Sequence, residues 1–228
     1  MSLLGRALLP GLFAALVMGA ASMAAADPIP SPVIVIGTAD VDPTKYDWLS
    51  DEARKTLADA IQQLKSGSIV AMVFAGAPGG NFWSYRTASK VTDSFNIADL
   101  ARQALQACAY FSNASCYIVS INGKEARDAS GGLPDQPWLF SDAPALFDAS
   151  LVPFVTMDDH NLLRAYSSET KPKVLVITPA GGWLWRTGDS LFSATATGLT
   201  DCQKANPNST CLLYAVNDRV VFHLGGPY

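Results

Sequence analysis

"ALQACAYFSNASCYIVSING" (residues 104–123) and "GLTDCQKANPNSTCLLYAVND" (residues 198–218) hold all four cysteines of this 228-residue chain. In each stretch one cysteine ends an apolar-periodic segment and a second opens a run rich in β-branched, aromatic or aliphatic residues. Ala101, Leu105 and Cys108 follow helical spacing, so Cys108 shares a buried face with Leu105. The helix must then stop, turn and enter a strand packed on that same face. A Cys108–Cys116 disulfide would fasten the last helical turn to the start of the strand, and Cys202–Cys211 would do the same in the second stretch. Four cysteines permit three pairings, and the local one repeats with the sequence, whereas the crossed ones would join distant halves. Zinc sites want C-x2–4-C or nearby histidines, and a redox pair wants C-x-x-C; neither spacing occurs here.

The likeness of the two stretches extends outward. Trp83-x-Tyr85-Arg86-Thr87 matches Trp183-x-Trp185-Arg186-Thr187. Leu105-x-x-Cys108 matches Leu199-x-x-Cys202, and Asn113-x-Ser115-Cys116 matches Asn208-x-Thr210-Cys211. An apolar run and an asparagine, Asn122 or Asn217, follow the second cysteine of each pair. The expected fold is therefore α+β, two pseudo-repeats of strand–helix–β-hairpin–helix–strand with one local disulfide per repeat, the helices of each covering one face of its sheet.

In the first copy, Pro32–Gly37 reads as a strand and Ser50 as the cap of a helix whose apolar face is Ala53, Leu57, Ala60, Ile61 and Leu64. "SIVAMVFA" and "FWSYRT" form a hairpin across a Gly-rich turn, Asn96 starts the cysteine helix, and "CYIVSI" closes the unit. In the second copy, "LVPFV" (151–155) is expected as the opening strand. Asp158 or Asp159 is expected to cap a short helix, and "KVLVIT" and "WLWRT" to form the hairpin. A helix from Ser190 and the strand "CLLYAV" follow, with "RVVFHL" available as a last strand. Residues 124–150, rich in Gly, Pro, Asp and Ser, read as a connector with one helical turn around Ala143–Phe147. The organisation is thus residues 27–123, repeat 1; 124–150, connector; 151–228, repeat 2.

Residues 1–26 read as a signal peptide: Arg6, an apolar middle, and the small-x-small exit Ala24-x-Ala26 before Asp27. No later segment reaches the roughly 18 unbroken apolar residues of a membrane span. Export gives an oxidising compartment, periplasmic or extracellular, that suits an even cysteine set. The net charge of −4 with scattered basic residues supplies no phosphate-backbone footprint, so nucleic acid is not an expected partner.

The module order resembles the DUF4189-like, cysteine-paired repeats of exported bacterial proteins. "CLLYAVNDRVVF" (211–222), "LVPFV" and "KVLVITPAGGWLWRTG" (173–188) carry the resemblance most closely. The first copy departs from it in a longer turn, "AGAPGGN", and in "YIVSINGKEA" where the second has the YAVND form. The resemblance implies a periplasmic or secreted protein and assigns no activity. Some sequences of this look are described as aminolevulinate synthases, a pyridoxal-phosphate chemistry that needs a much larger fold and a Schiff-base lysine. No cofactor is expected.

Chemistry has few candidates. His160 follows Asp158 and Asp159, the best available acid–base set, but adjacent helical residues diverge, so no metal site is expected. His223 reads as a surface residue. No G-x-S-x-G elbow selects a serine for a hydrolase. "AGAPGG" and "PAGG" precede aromatic strands instead of helices and read as hairpin turns, not phosphate cradles. Asn113 and Asn208 lie in N-x-S/T sequons, which also suit turns. The strand motif remains: Trp83 with Tyr85, and Trp183 with Trp185, share one strand face, with Arg86 and Arg186 on the other. These six residues are the candidates for a ligand or partner surface, although paired aromatics also serve to bury a helix. The leading expectation is an exported non-catalytic binding or interaction protein, for a small molecule or an envelope protein. The alternative is an envelope enzyme of unknown reaction, hydrolase-like, with His160, Asp158 and Asp159 as its candidate residues.

Overall fold

The computed structural model describes residues 34–77, 79–92, 95–114, 116–128 and 146–222. The expected signal peptide, His223 and most of the connector lie outside them. The described chain is α+β, with two similar halves that each carry one local disulfide, Cys108–Cys116 and Cys202–Cys211. Each bond closes a loop of fewer than ten residues, so by the chain-entropy estimate it contributes about 2.5 kcal/mol.

The first half runs β1 (Ile34–Asp40), α1 (Asp51–Lys65), β2 (Ala71–Gly76), β3 (Trp83–Ala88), α2 (Ile97–Ser112), β4 (Tyr117–Ile121) and β5 (Lys124–Asp128). The second runs α3 (Met157–Leu163), β6 (Lys173–Ile177), β7 (Trp183–Thr187), α4 (Leu191–Ala205), β8 (Leu212–Val216) and β9 (Arg219–Val220). The sheet orders are β1-β5-β4-β2-β3 and β7-β6-β8-β9, the same antiparallel arrangement apart from β1. Even the irregularity repeats, because the β2–β4 and β6–β8 ladders each shift register at the equivalent point, Phe74/Ala75 and Leu175/Val176.

One asparagine fixes the strand exit in each copy. Asn122 and Asn217 both hold φ +52°, a left-handed conformation that asparagine tolerates better than most residues. Asn122 Oδ1 accepts from Met72 N at 2.9 Å while its own N donates to Met72 O at 2.9 Å. Asn217 does the same with Lys173, at 3.1 and 2.8 Å. The side chain thus extends the ladder by one rung where the chain turns back.

Four of the expectations are corrected. Residues 151–155 form no strand. Asp148 caps a 3-10 turn over Ala149–Leu151, and the chain then passes through Val152–Val155 to α3. The equivalent of β1's end is Leu146: it bridges Arg219 and Phe147 N donates to Asp218 O, as Asp40 pairs with Lys124 and Val41 N donates to Gly123 O. Asp42 caps a matching 3-10 turn, Pro43–Lys45, and binds the Thr44 amide and hydroxyl as Asp148 binds those of Ser150. "LVPFV" therefore matches "KYDWL" (45–49), the approach to α1, and its apolar character reflects burial.

Second, Lys124–Asp128 are not connector but strand β5, joined to β4 through the turn Asn122-Gly123 and pairing β1. Of the suggested helical turn at 143–147, Leu146 pairs with Arg219 and Phe147 is not helical, and the rest lies outside the described residues. Third, neither Asp158 nor Asp159 caps α3. Thr156 does, in a capping box with Asp159, because a hydroxyl at this position reaches the N3 amide while the N3 carboxylate reaches back.

Fourth, the helices do not share a sheet face. Met72, Phe74 and Val119 face α1 through Ala53, Leu57 and Ala60. Ala71, Val73, Ala75 and Ile121 face α2 through Ala101, Ala104, Leu105 and Cys108. In the second half, Val174 and Val176 face α4, while Leu175, Ile177 and Ala215 face the segment 147–166. The layers therefore stack as α1, first sheet, α2 with the segment 147–166, second sheet, α4.

Helix α2 is consequently buried from Asp99 through Ala109. Its face away from the first sheet is polar: Asp99, Arg102, Gln103 and Gln106 recur at helical spacing. Arg102, wholly buried, donates to Asp99 Oδ1 from Nε (3.2 Å) and Nη2 (2.5 Å), to Gln106 Oε1 (2.8 Å) and to Val155 O (2.6 Å). Gln106 Oε1 also accepts from Phe154 N at 2.8 Å, and Asp99 Oδ2 from Met157 N at 3.1 Å. These bonds satisfy Phe154 N, Val155 O and Met157 N, of which the first two would otherwise be buried without partners. Ala107 and Tyr110 then add apolar contact with the second half's core.

Truncating a member of a buried ion pair costs about 3–5 kcal/mol because the remaining charge is stranded. Arg102→Ala is expected to lose about that much in urea unfolding, with both halves unfolding in one transition. A loss below about 1 kcal/mol would mean that the clamp does not hold the halves together.

Candidate functional site

The aromatic candidates lie on β3 and β7, the outermost strands at one end of each sheet. Trp83 stacks on Phe74 of the neighbouring strand at 5.7 Å and lies 6.2 Å from Tyr85. Trp183 stacks on Trp185 at 5.5 Å with ring planes 12° apart. Trp83, Trp183 and Trp185 are half-buried, and Tyr85 is exposed. Each pair thus does both things the sequence allows. Inner ring surfaces close the clusters against α1 and against the segment 147–166, while outer surfaces remain open at the sheet edge.

The arginines are used differently. Thr178 N donates to Gly182 O and Gly188 N to Pro172 O. With the β6–β7 register, this alternation turns the backbone groups of Trp183, Trp185 and Thr187 toward the free edge. Arg186 Nη1 donates to Trp185 O at 2.8 Å, and Arg86 Nη1 to Tyr85 O at 2.9 Å. In both copies the motif's arginine folds back over its own strand edge and occupies a carbonyl that another strand could use, a form of edge protection. Arg186 is further held by Asp201 of α4 at 2.8 Å. Ala107 occupies the matching position of α2, so Arg86 lacks that carboxylate and donates instead to Pro179 O of the second half. Burial pushes the Arg86 guanidinium down to about 10. Both guanidinium groups are thus committed to internal bonds on the face opposite the aromatics.

His160, Asp158 and Asp159 do not converge. The His160 ring is buried, with Nε2 2.8 Å from Val152 O. A carbonyl accepts only, so Nε2 carries the proton, and buried Nδ1 has no hydrogen-bond partner. Asp159 is engaged by the Thr156 amide and hydroxyl, and Asp158, two residues before His160, is exposed. Among the described residues no three of His, Cys, Asp and Glu gather as metal ligands.

A small cleft of about 170 Å³ opens on the seam between the halves. The end of β3, the start of α2 and the start of α3 form its walls, with Asp99, Gln103 and Asp158 as the polar groups and Phe95, Leu100 and Met157 as the apolar ones. Gln103 Nε2 donates to Asp99 Oδ2 at 3.2 Å, which fixes the amide orientation and leaves Oε1 as an acceptor.

None of the α2 polar residues stood out in the sequence, because a polar stripe opposite an apolar one is what a solvated face looks like. The available signal was the pairing of that stripe with the unusually apolar "LVPFV". The matching turns Asp42-x-Thr44 and Asp148-x-Ser150 were also there to be aligned.

Comparison with family models, with curated proteins and with solved structures finds no match to the chain. The resemblance to the DUF4189-like repeats is therefore one of the quoted residues alone. Burial is the first cause holding the His160 imidazole below its ordinary range, against the opposing pull of its bond to Val152. The fold thus prefers the neutral ring, and the unfolded chain binds more protons below about pH 6.5. This contribution is present above that pH and is lost as pH falls through the folded value. His160→Gln is expected to flatten the decline in unfolding free energy between pH 7 and 5.5 measured by urea titration; an unchanged slope would contradict the assignment.

Proposed function

We propose that this chain is an exported, non-catalytic binding or interaction protein of the DUF4189-like kind, acting in the periplasm or outside the cell. The observation that carries this reading is the Trp183–Trp185 stack, with the tilted pair Trp83–Tyr85 as its counterpart, left half-open at the edge of each sheet. Aromatic rings anchored on the inside and open on the outside offer rigid apolar area at small entropic cost, the property that makes such residues dominate interfaces. Local disulfides and the edge-capping arginines suit a domain that must stay folded and monodisperse in an oxidising compartment. The enzyme alternative rests on His160, whose protonated nitrogen is committed to a backbone carbonyl and whose other nitrogen is buried.

The full chain expressed with its own N-terminus should be recovered outside the cytoplasm beginning at Asp27, as N-terminal sequencing would show. Envelope glycan and peptide fractions should shift its tryptophan emission. Trp183→Ala/Trp185→Ala is expected to abolish that shift, and His160→Gln to leave it intact. Retention in the cytoplasm uncleaved, or a ligand response that survives loss of both tryptophans and of Tyr85, would overturn the proposal.

A further inference from the structure

Segment 45–49 of the first copy matches 151–155 of the second, and the match extends to the groups that serve its carbonyls. His160 of α3 bonds Val152 O, and Arg54, at the matching position of α1, donates from Nη1 to Tyr46 O at 3.2 Å. Across the seam, Arg102 of α2 serves Val155 O at 2.6 Å. The counterpart of that oxygen, Leu49 O, accepts from the same Arg54 Nη1 at 2.6 Å. One arginine of the first copy thus does the work of His160 and of a helix from the other half.

The aromatic cover differs. Phe154 has no exposed surface, because Ala107 and Tyr110 of α2 close over it, the tyrosine edge-on at 5.8 Å. The matching Trp48 is 37% exposed. Its ring lies over Gly76, where a Cβ would come 3.2 Å from it, and Tyr46 stands edge-on at 6.3 Å. Gly76 pairs with Trp83, and directly paired residues share a sheet face, so Trp48 continues the Trp83–Tyr85 surface on the α1 side. Phe154 N donates to Gln106 Oε1, whereas Trp48 N donates to none of the described residues. The first copy therefore leaves open the face that the second copy turns to α2, and the seam within the chain shows that a helix covers a face of this build.

We infer that this face docks an α-helix of a second protein, laid against residues 46–49 as α2 lies against 152–155. What the face lacks defines that helix. An amide acceptor at the position of Gln106 would take Trp48 N. A carboxylate at the position of Asp99 would meet Arg54, which also holds the exposed Asp51 carboxylate. No arginine is needed between them, because Leu49 O is already served. Alanine and an aromatic at the positions of Ala107 and Tyr110 would cover the Trp48 ring, in the manner of a helix laid into an apolar groove. A second copy of this chain supplies no such helix: α2 is buried, and α4 has the short hydroxyls Ser193 and Thr200 at the two polar positions, with Asp201 and Lys204 at the apolar ones. The docking rests on the binding role proposed for the aromatic edges and names what the first copy's edge receives.

The test is a ¹H–¹⁵N titration of the full chain with a peptide of residues 97–112 carrying Arg102→Ala, Ala104→Glu and Cys108→Lys. A lactam joining the last two side chains holds the peptide helical. It lies on the face that α2 turns to its own sheet, so the peptide cannot exchange with α2. The expected result is saturable shifts of the Trp48 and Trp83 indole N–H groups. Changes made in the peptide leave the fold of the protein untouched. Asp99→Asn in it should weaken binding about two- to fivefold, and Gln106→Ala about two- to tenfold. Absence of saturable shifts, or equal affinity of peptides with and without both changes, would overturn the docking. Shifts confined to Trp183 and Trp185 would overturn it too, while leaving the binding role of the aromatic edges standing; failure of that role is read separately, from the response to envelope fractions.

Discussion

The contact between the two halves centres on one buried guanidinium. Arg102 sits in the middle of α2 with no exposed surface, pairs with Asp99, and reaches across the seam to a carbonyl of the second half. Burying such a pair is costly unless every polar group finds a partner. Gln106 Oε1 and the amides of Phe154 and Met157 supply most of these partners, while Gln106 Nε2 is buried with none among the described residues. The route of the chain from Val152 to α3 follows from this. That segment is buried without β-pairing because side chains of α2, with His160 and Asp159 of α3, serve its backbone.

The arrangement is head to tail, with the α2 side of the first copy against the α3 side of the second. Such contacts can propagate indefinitely unless something ends them. Here the second copy ends them. Positions of α4 matching Asp99, Arg102, Gln103 and Gln106 are Ser193, Ala196, Thr197 and Thr200, which cannot clamp another backbone. Apart from Ala194, Gly198 and Cys202, α4 carries half-buried or exposed residues. Its exposed residues are mostly small or polar, with Leu191 and Phe192 as apolar exceptions, and a capping face of that kind ends a stack of modules. The same logic explains why Arg186 has Asp201 on an open helix while Arg86, over the buried one, has Ala107.

Much of this was legible in the sequence, and the failures have one cause. Cys108 with Leu105, the hairpin aromatics and the Asn122/Asn217 pair report contacts within a module, and their periodicities identified the elements and the disulfides. Contacts between modules leave no periodicity. "LVPFV" has the composition of a strand because it is as buried as one, and composition cannot say whether its amides meet a ladder or a glutamine side chain. Gly80 and Gly181 mark the same chain approach in both copies. A Cβ on Gly80 would fall 1.8 Å from Trp48 O, and one on Gly181 3.3 Å from Phe154 O. This correspondence would have aligned 151–155 with 45–49, but spacing to a distant backbone is invisible in one dimension. The candidate site divides the same way: the aromatic pairs were legible as a strand motif, while the cleft is built from residues of both halves.

The central claim is that α2 belongs equally to both halves, so that they form one cooperative unit. Native-state hydrogen exchange measures this directly. The account predicts that the amides of α2, β2 and β6 exchange only through global unfolding, with one common free energy, while the outer turns of α4 exchange sooner. Separate free energies for β2 and β6, with α2 following β2 alone, would contradict it.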